Sequence, residues 1–416
     1  MKTRKIWTLL VVLAFVVVSF GSTVAFAQED TEMALFFTPP GKGDLGWNYM
    51  AWLGAKKAKE EGYISDFSDV ITTEADALGD TNMLARTGQF DILVSSGWEL
   101  MSAFKSTANS FPDLNYMTLD MRPAFEEGDP GDKATLGTSF RQEQGSALAG
   151  ALAALVAAYH GDRHVGIVLG KEGQVLYEFE MGYKWGVNWG VNWIKENKPS
   201  LVSEDNITGV KKKDRVLWTY VGSWSDTAGG RQAAEAQITQ GASVIYTVAG
   251  ATGIGGLQFV ADYHNSNDIP VTKPPYAIGV DSNQDWVNPY IIASVLKRID
   301  TAVMKTARAV ANGNFRDMVK DKKTLWLGLE DNGVGLSDEE MLKSWIDQAQ
   351  EAGIFGDKDK GKILENYREL RSAQPDWVWD ALDDLRQQII EGKVEIPRPF
   401  GNPEKWNIDD LRKEYG

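Results

Sequence analysis

The sequence contains no cysteine. That excludes disulfides, thiolate metal sites and a lipid attached through a cysteine thiol. Histidine is scarce: His160, His164 and His264 are the full set, and none has metal-ligand companions at motif spacing. Positive charge is also short, with 43 Lys and Arg against 58 Asp and Glu and a formal charge of -15. Nucleic acid is therefore not expected as a partner, because binding its phosphates depends on Lys and Arg. After Phe20 no stretch is apolar enough to span a bilayer, which takes roughly 18 or more residues.

The first residues carry an export pattern. Lys2, Arg4 and Lys5 precede the apolar run from Ile6 to Phe20, and Ala25-Phe26-Ala27 is a small-x-small cleavage site. Residues 1–27 thus read as a signal peptide cleaved after Ala27. Losing its three cations makes the remainder more acidic still. With no cysteine to lipidate, a free periplasmic protein without a lipid anchor is expected. The remaining chain exceeds the roughly 250–300 residues at which one core stops growing, so two lobes are expected, and a hydrophobic content of 43% supports them.

Strand and helix signals alternate along the chain. Short apolar runs read as buried strands at Met33–Thr38, Val70–Thr73, Asp91–Ser95, Asn115–Leu119, His164–Leu169, Arg215–Val221, Ser243–Val248, Tyr276–Val280 and Ile291–Val295. Helical patterns lie between most of them, at Asn48–Glu61, Glu99–Ala108, Glu143–Tyr159, Glu178–Asn197, Ala228–Gln240 and Gly253–Tyr263. Gly62 and Gly241 stand where helix-ending glycines belong. Such alternation predicts an α/β fold of parallel sheets covered by helices. The Pro/Gly-rich segment Met121–Ala134 and the "TKPP" of 272–275 read as passages between two sheets. Lobe 1 is then expected at 28–121 plus 276–296, and lobe 2 at 122–275 plus 297–345. Residues 346–416 form a helical extension assigned to neither lobe. Trp185, Trp189 and Trp193 recur every four residues, as a stripe packing on the sheet would.

Ligands of such sheets bind outside the carboxyl ends of the strands. Trp47 and Asn48 follow the first strand on the loop "TPPGKGDLGWN", and Asp120 and Asp281 end two others. "AGATGIGG" (249–256) follows another strand, and Lys297 closes the last. An aromatic face, two carboxylates, an amide and an ammonium together suit a neutral, flat, hydroxyl-bearing ligand. Singly, a strand-end Asp is more often a helix cap and a tryptophan more often core. The glycines of 250–256 do not spell GxGxxG or a Walker loop, so phosphate is not expected. Ser294-Val-Leu-Lys297 matches S-x-x-K, but it closes a strand and lacks the companion motifs. Neither an enzyme nor a cofactor nor a metal is expected.

Five segments resemble the basic membrane protein family of ABC-transporter solute-binding proteins, which includes purine nucleoside receptors. They are "GDLGWNYMAWLGAKKAKEE" (43–61), "TSFRQEQGSALAGALAAL" (138–155), "YEFEMGYKWGV" (177–187), "YVGSWSDTAGGRQAAEAQITQGASVIYTVAGATGIG" (220–255) and "AIGVDSNQDWVNPYIIASVLKRIDTAV" (277–303), with a weaker echo in "LGLEDNGVGL" (327–336). The resemblance implies a type I periplasmic-binding fold: two doubly wound parallel-sheet lobes with a ligand cleft between them. It also implies a nucleoside-like ligand, an ABC permease as partner, and a monomer. By motif, Trp47, Asn48, Asp120, Phe179, Gly253, Asp281 and Lys297 are the implied ligand-binding residues. Trp47 and Phe179 would sandwich the base, and carboxylates and Lys297 would hold the ribose. Three features depart from the family: tryptophan at 47 where phenylalanine is usual, the long 121–134 loop, and an insertion around 350–374. Alternatives are a flavin or another aromatic or hydroxylated metabolite, presentation of ligand to a membrane receptor, and a nucleoside-processing enzyme.

Overall fold

A computed structural model of the 416-residue chain describes residues 31–44, 46–351 and 359–416. The segment expected to be a signal peptide, with its expected cleavage site after Ala27, lies outside the described residues. The chain begins β1 (Glu32–Phe37), α1 (Trp47–Glu60), β2 (Asp66–Ile71), α2 (Ala77–Thr87), β3 (Ile92–Ser96), α3 (Met101–Ser110), β4 (Asn115–Leu119) and β5 (Thr135–Phe140). It continues with α4 (Gln142–His160), β6 (His164–Leu169), α5 (Gln174–Asn197), β7 (Val216–Tyr220), α6 (Thr227–Thr239), β8 (Ala242–Val248), α7 (Ala251–Ser266), β9 (Tyr276–Asp281) and β10 (Ile291–Lys297). Then come α8 (Ile299–Ala311), α9 (Phe315–Lys322), β11 (Thr324–Leu327), β12 (Val334–Leu336), α10 (Glu339–Glu351), α11 (Lys360–Ser372), α12 (Asp376–Ile390) and α13 (Ile408–Tyr415).

Two six-stranded sheets result, ordered β11-β5-β4-β3-β1-β2 and β12-β10-β9-β8-β6-β7. Every pairing is parallel except β10 with β12. The strand sequences explain this choice. β3, β5, β8, β9 and β10 are buried along their whole length, as strands covered by helices on both faces must be. Gly62 and Gly241 adopt φ of 77° and 90° just past α1 and α6, the left-handed turn that stops a helix without a β-carbon clash.

Strand membership corrects the lobe boundaries expected from sequence. Residues 121–134 join β4 to β5 within the first sheet, and 272–275 lead into β9 within the second. Neither is a passage between sheets. Tyr276–Asp281 and Ile291–Lys297 belong to the second sheet, and Thr135–Phe140 and Thr324–Leu327 to the first. The chain crosses between sheets three times: through α4, through α8 and α9, and in the short link 328–333. Two crossings bond to the third, as Arg141 N–H donates to Leu327 O (2.8 Å) and Arg298 N–H to Gly333 O (2.9 Å). Proline and glycine mark a turn, not the sheet to which the next strand goes, so those loops misled.

The α4 sequence is apolar all round, and nearly all of the helix is buried, as such a helix requires. No described helix is long and apolar enough to cross a membrane. α5 lies on α4 at closest approach: a β-carbon on Gly186 would stand 2.0 Å from Ala147 O, and one on Gly150 2.1 Å from Tyr183 O. Only glycine permits such an approach. The small residues therefore face α4. The tryptophan stripe is half-buried against the core, and Trp193 stacks on Trp377 of α12 at 5.7 Å. Within the extension, α12 packs on α4 and α13 on α5. Arg371 of α11 donates to Ile292 O and Ser337 O of the second sheet's region.

Candidate ligand-binding site

A cavity of about 650 Å³, its open mouth included, lies between the carboxyl ends of the two sheets. Its size falls in the roughly 300–1,000 Å³ range of small-molecule sites. Trp47, Asn48, Asp120, Phe179, Asp281 and Lys297 all line it. Gly253 does not. It sits in the first turn of α7, where a β-carbon would lie 3.3 Å from the Thr247 side chain, so it serves helix–sheet packing. Gly250, at φ 55°, lines the cavity in its place.

The loop before α1 is built around two polar side chains. Asp44 accepts from the backbone N–H groups of Gly46, Asn48 and Tyr49, which caps the helix start. Asn48 donates to Thr38 O (3.1 Å) and Gly41 O (3.2 Å), and its Oδ1 accepts from Ser96 Oγ at 2.6 Å. Its amide is committed to holding that loop, which leaves the partly buried Trp47 to face the cavity.

The two strand-end aspartates share a backbone signature. Asp120 and Asp281 have φ of 69° and 64°, a left-handed conformation that costs a non-glycine residue roughly 1–2 kcal/mol and that collects at functional sites. Asp120 accepts from Lys297 Nζ at 2.5 Å, and both side chains are buried. Burial raises the Asp120 carboxyl while Lys297 opposes the rise. Burial also pushes Asp281 up to about 7, with Lys297 pulling it down and Asp120 and Asp44 adding repulsion. Asp44 rises to about 6 through burial, against the backbone N–H groups it accepts from. Lys297 Nζ lies 4.5 Å from the Trp47 ring centre and 5.3 Å from that of Phe179. The two rings, one from each half of the molecule, thus face one shared space.

Sequence reasoning missed the mouth. Glu99, from the first-sheet half, accepts from Trp224 Nε1 at 2.9 Å and lies 3.3 Å from Lys171 Nζ, both from the other half. The Trp224 ring occupies the place of a side chain on Gly170, where a β-carbon would come within 2.3 Å of it. Trp98 approaches Gly173 across the same gap. Trp98 and Trp224 both follow the carboxyl end of a strand, β3 and β7, so the strand-end rule that found Asp120 could have found them.

A family model described as Bmp, ABC transporter substrate-binding protein PnrA-like, matches residues 32–192 and 207–362. The chain belongs to the Bmp family. This is a family of solute-binding proteins, not of enzymes. An uncharacterized lipoprotein of Pyrococcus abyssi is 28% identical over 91% of this chain and 87% of its own length. The ABC transporter nucleoside-binding protein BmpA of Lactococcus lactis is 24% identical over 76% of this chain and 87% of its own. An ABC transporter solute-binding protein of Aeropyrum pernix superposes with a TM-score of 0.78 at 26% identity, covering 92% of this chain and 98% of that one. The type I periplasmic-binding fold is therefore that of this Bmp protein.

One expectation is overturned. Bmp relatives from three Pyrococcus species are named lipoproteins, against a free periplasmic protein with no lipid anchor. The missing cysteine addresses attachment through a thiol and nothing else.

Proposed function

We propose that this Bmp protein captures a nucleoside-like solute in the cleft and hands it to an ABC permease in the membrane. One observation carries the reading: two aromatic rings from opposite halves face one space beside buried carboxylates and a single ammonium. Trp47 and Phe179 stack on the faces of the base, an interaction worth about 1–3 kcal/mol per base. Asp281 accepts from vicinal ribose hydroxyls. Those donors favour its ionised form and offset the burial that raises it. Lys297 donates to a ribose oxygen, and Asp120 holds it in place. The printed name of the Lactococcus lactis relative is consistent with this ligand class.

Closure of the lobes, one built on each sheet, buries the ligand, and the Glu99–Trp224–Lys171 contacts fasten the mouth. The closed form offers the permease a surface that the open form lacks. Calorimetry of the protein with adenosine, guanosine, inosine and the free bases is the test. Binding of nucleosides above bases is expected, and no heat from any of them rejects the assignment.

A further inference from the structure

Phe179 is flanked by two fully buried carboxylates, Glu178 and Glu180, and neither touches the cavity. Both are held from outside the helix by the C-terminal segment. Arg398 Nε lies 3.7 Å from Glu178 Oε1, and Gly401 N–H donates to the same oxygen at 2.8 Å. Arg412 grips Glu180 at two points, Nε to Oε1 at 3.2 Å and Nη2 to Oε2 at 2.8 Å. Lys184 and the Tyr220 hydroxyl complete the set around Glu180, at 2.7 and 3.0 Å. Lys184 in turn donates to the backbone oxygen of Gly416, the last residue of the chain.

The same segment touches the other half of the molecule. The Arg398 guanidinium lies 4.8 Å from the ring centre of Trp326, on the edge strand β11 of the first sheet, and the Phe400 ring packs 6.2 Å from it. Arg398 also lies 3.2 Å from Glu143 Oε1 at the start of α4, the first crossing. A strap thus runs from the edge of the first sheet to the turn of α5 that carries Phe179. It lies beyond residue 362, where the family match ends.

We propose that Arg398 and Arg412 are positioning residues, which set the Phe179 wall of the cleft by holding the carboxylates on either side of it. The proposal rests on the cleft being a binding site for a flat aromatic solute. The chemistry fits the task. A bidentate arginine–carboxylate pair fixes direction as well as distance, and a buried carboxylate cannot drift from its partner without standing unpaired away from water. Arg412 holds Glu180 in this way, while Glu178 is held by the Gly401 N–H with the Arg398 charge 3.7 Å away; anchored on either side, the Phe179 backbone has little freedom to rotate.

Full-length protein carrying 4-fluorophenylalanine at position 179 reports the ring's surroundings by fluorine NMR without any ligand. Arg398→Gln and Arg412→Gln are each expected to shift or broaden that line. A fluorine at position 259, on the opposite face of the second sheet, is expected to stay put. A line at 179 that neither variant moves, or that moves no more than the one at 259, overturns the proposal. If the glutamine variants do not fold, Arg412→Lys keeps the buried charge matched but loses the two-point grip; it should move the 179 line alone, and no movement counts against the proposal. In calorimetry with the nucleoside that binds the unaltered protein, Arg412→Gln should weaken binding about tenfold, or about 1.4 kcal/mol. That loss should vanish in a Phe179→Ala background, and its persistence there overturns the idea. If adenosine, guanosine and inosine all fail to bind, the nucleoside reading falls while the fluorine lines still decide this one.

Discussion

Two clusters of buried charge sit on either side of Phe179, and one carboxylate in each, Asp281 in the cleft and Glu180 under the strap, is balanced oppositely to the other. In the cleft, Asp120 and Asp281 lie near one buried ammonium, Lys297, and burial drives both carboxyls, and that of Asp44, upward. Under the C-terminal strap, burial also pushes Glu180 up, but bonds from Arg412 and Lys184 outweigh it and hold the carboxyl below its usual range; its neighbour Glu178 is driven up by burial and by the like charge of Glu143. Removal from water is common to both. What differs between Asp281 and Glu180 is the number of donors aimed at each carboxylate, and an acid left short of donors is one that a ligand's hydroxyls can complete. Burial alone does not mark a site; a shortfall of donors inside a cavity does.

The largest expected effect comes from removing the cleft's buried cation. Lys297→Met should destabilise the protein by about 3–5 kcal/mol in urea denaturation and abolish ligand binding. A loss under about 1 kcal/mol would mean that its carboxylates are already neutral, and the contrast would collapse.

The pH dependence separates Asp281 from Glu180 next. Asp281 has a folded pKa of about 7, above its unfolded value, so the folded state holds this proton more tightly. Its effect on stability is absent below about pH 4 and grows unfavourable as pH rises to about 7. In order of magnitude that is about 4 kcal/mol, with Asp44 adding in the same direction up to about pH 6. Glu180, held low, has the opposite sign: its contribution is present above the unfolded pKa and lost as pH falls through the folded one. The ligand-free protein should therefore lose stability between about pH 4 and 7. Asp281→Asn should flatten part of that slope, the rest coming from Asp44 and from Glu178, which burial and Glu143 also push up; an unchanged slope would show that Asp281 is not among its sources. Nucleoside affinity should rise across the same range, because donor bonds favour the ionised carboxylate.

Trp47→Ala tests the aromatic half of the site. Affinity should fall by about 1–3 kcal/mol in calorimetry, with the unfolding midpoint little changed because the ring is only partly buried. The smallest effect is expected at the mouth. Lys171→Ala removes an exposed partner of Glu99, and surface pairs contribute about 0–1 kcal/mol. Ligand dissociation should quicken slightly at low salt, and the difference should disappear at high salt; a large effect in high salt would give Lys171 a place in the site itself.

Much of the fold is legible in the residues. All nine strands read from apolar runs overlap an observed strand, because strands buried on both faces advertise themselves; the exception in kind is β2, which shares only Val70 and Ile71 with the expected run and has no buried residue, so it is an exposed edge and not the buried strand expected. β5 escaped notice because "TLGTSF" mixes Thr, Gly and Ser with two apolar residues, although every one of the six is buried. α2 was missed because the apolar residues of "ALGDTNMLART" bunch at 77–78 and 83–85, and its inward face is Ala77, Thr81 and Ala85 while Leu78 and Met83 are exposed. Its Thr81 is instead fixed by a bond to Thr107 of α3, a contact that no periodicity reveals. In the site, the strand-end rule found Asp120 and Asp281 but stopped short of Trp98 and Trp224, two and four residues past their strands. Gly253 entered through motif likeness, and its packing against Thr247 is invisible without coordinates.

The sequence alone determined the alternation of strand and helix, the acidic surface and the chemical types gathered at strand ends, since these follow from residues near one another in the chain. Only the tertiary structure decided which sheet each strand joins, because parallel pairing depends on crossovers whose destination no local signal encodes. It alone decided how many donors reach each buried carboxylate. Lys297 meets Asp120 across 177 residues, and Arg412 meets Glu180 across 232. Coulomb interactions act through space, so charge balance inside a protein is set by what folding brings together.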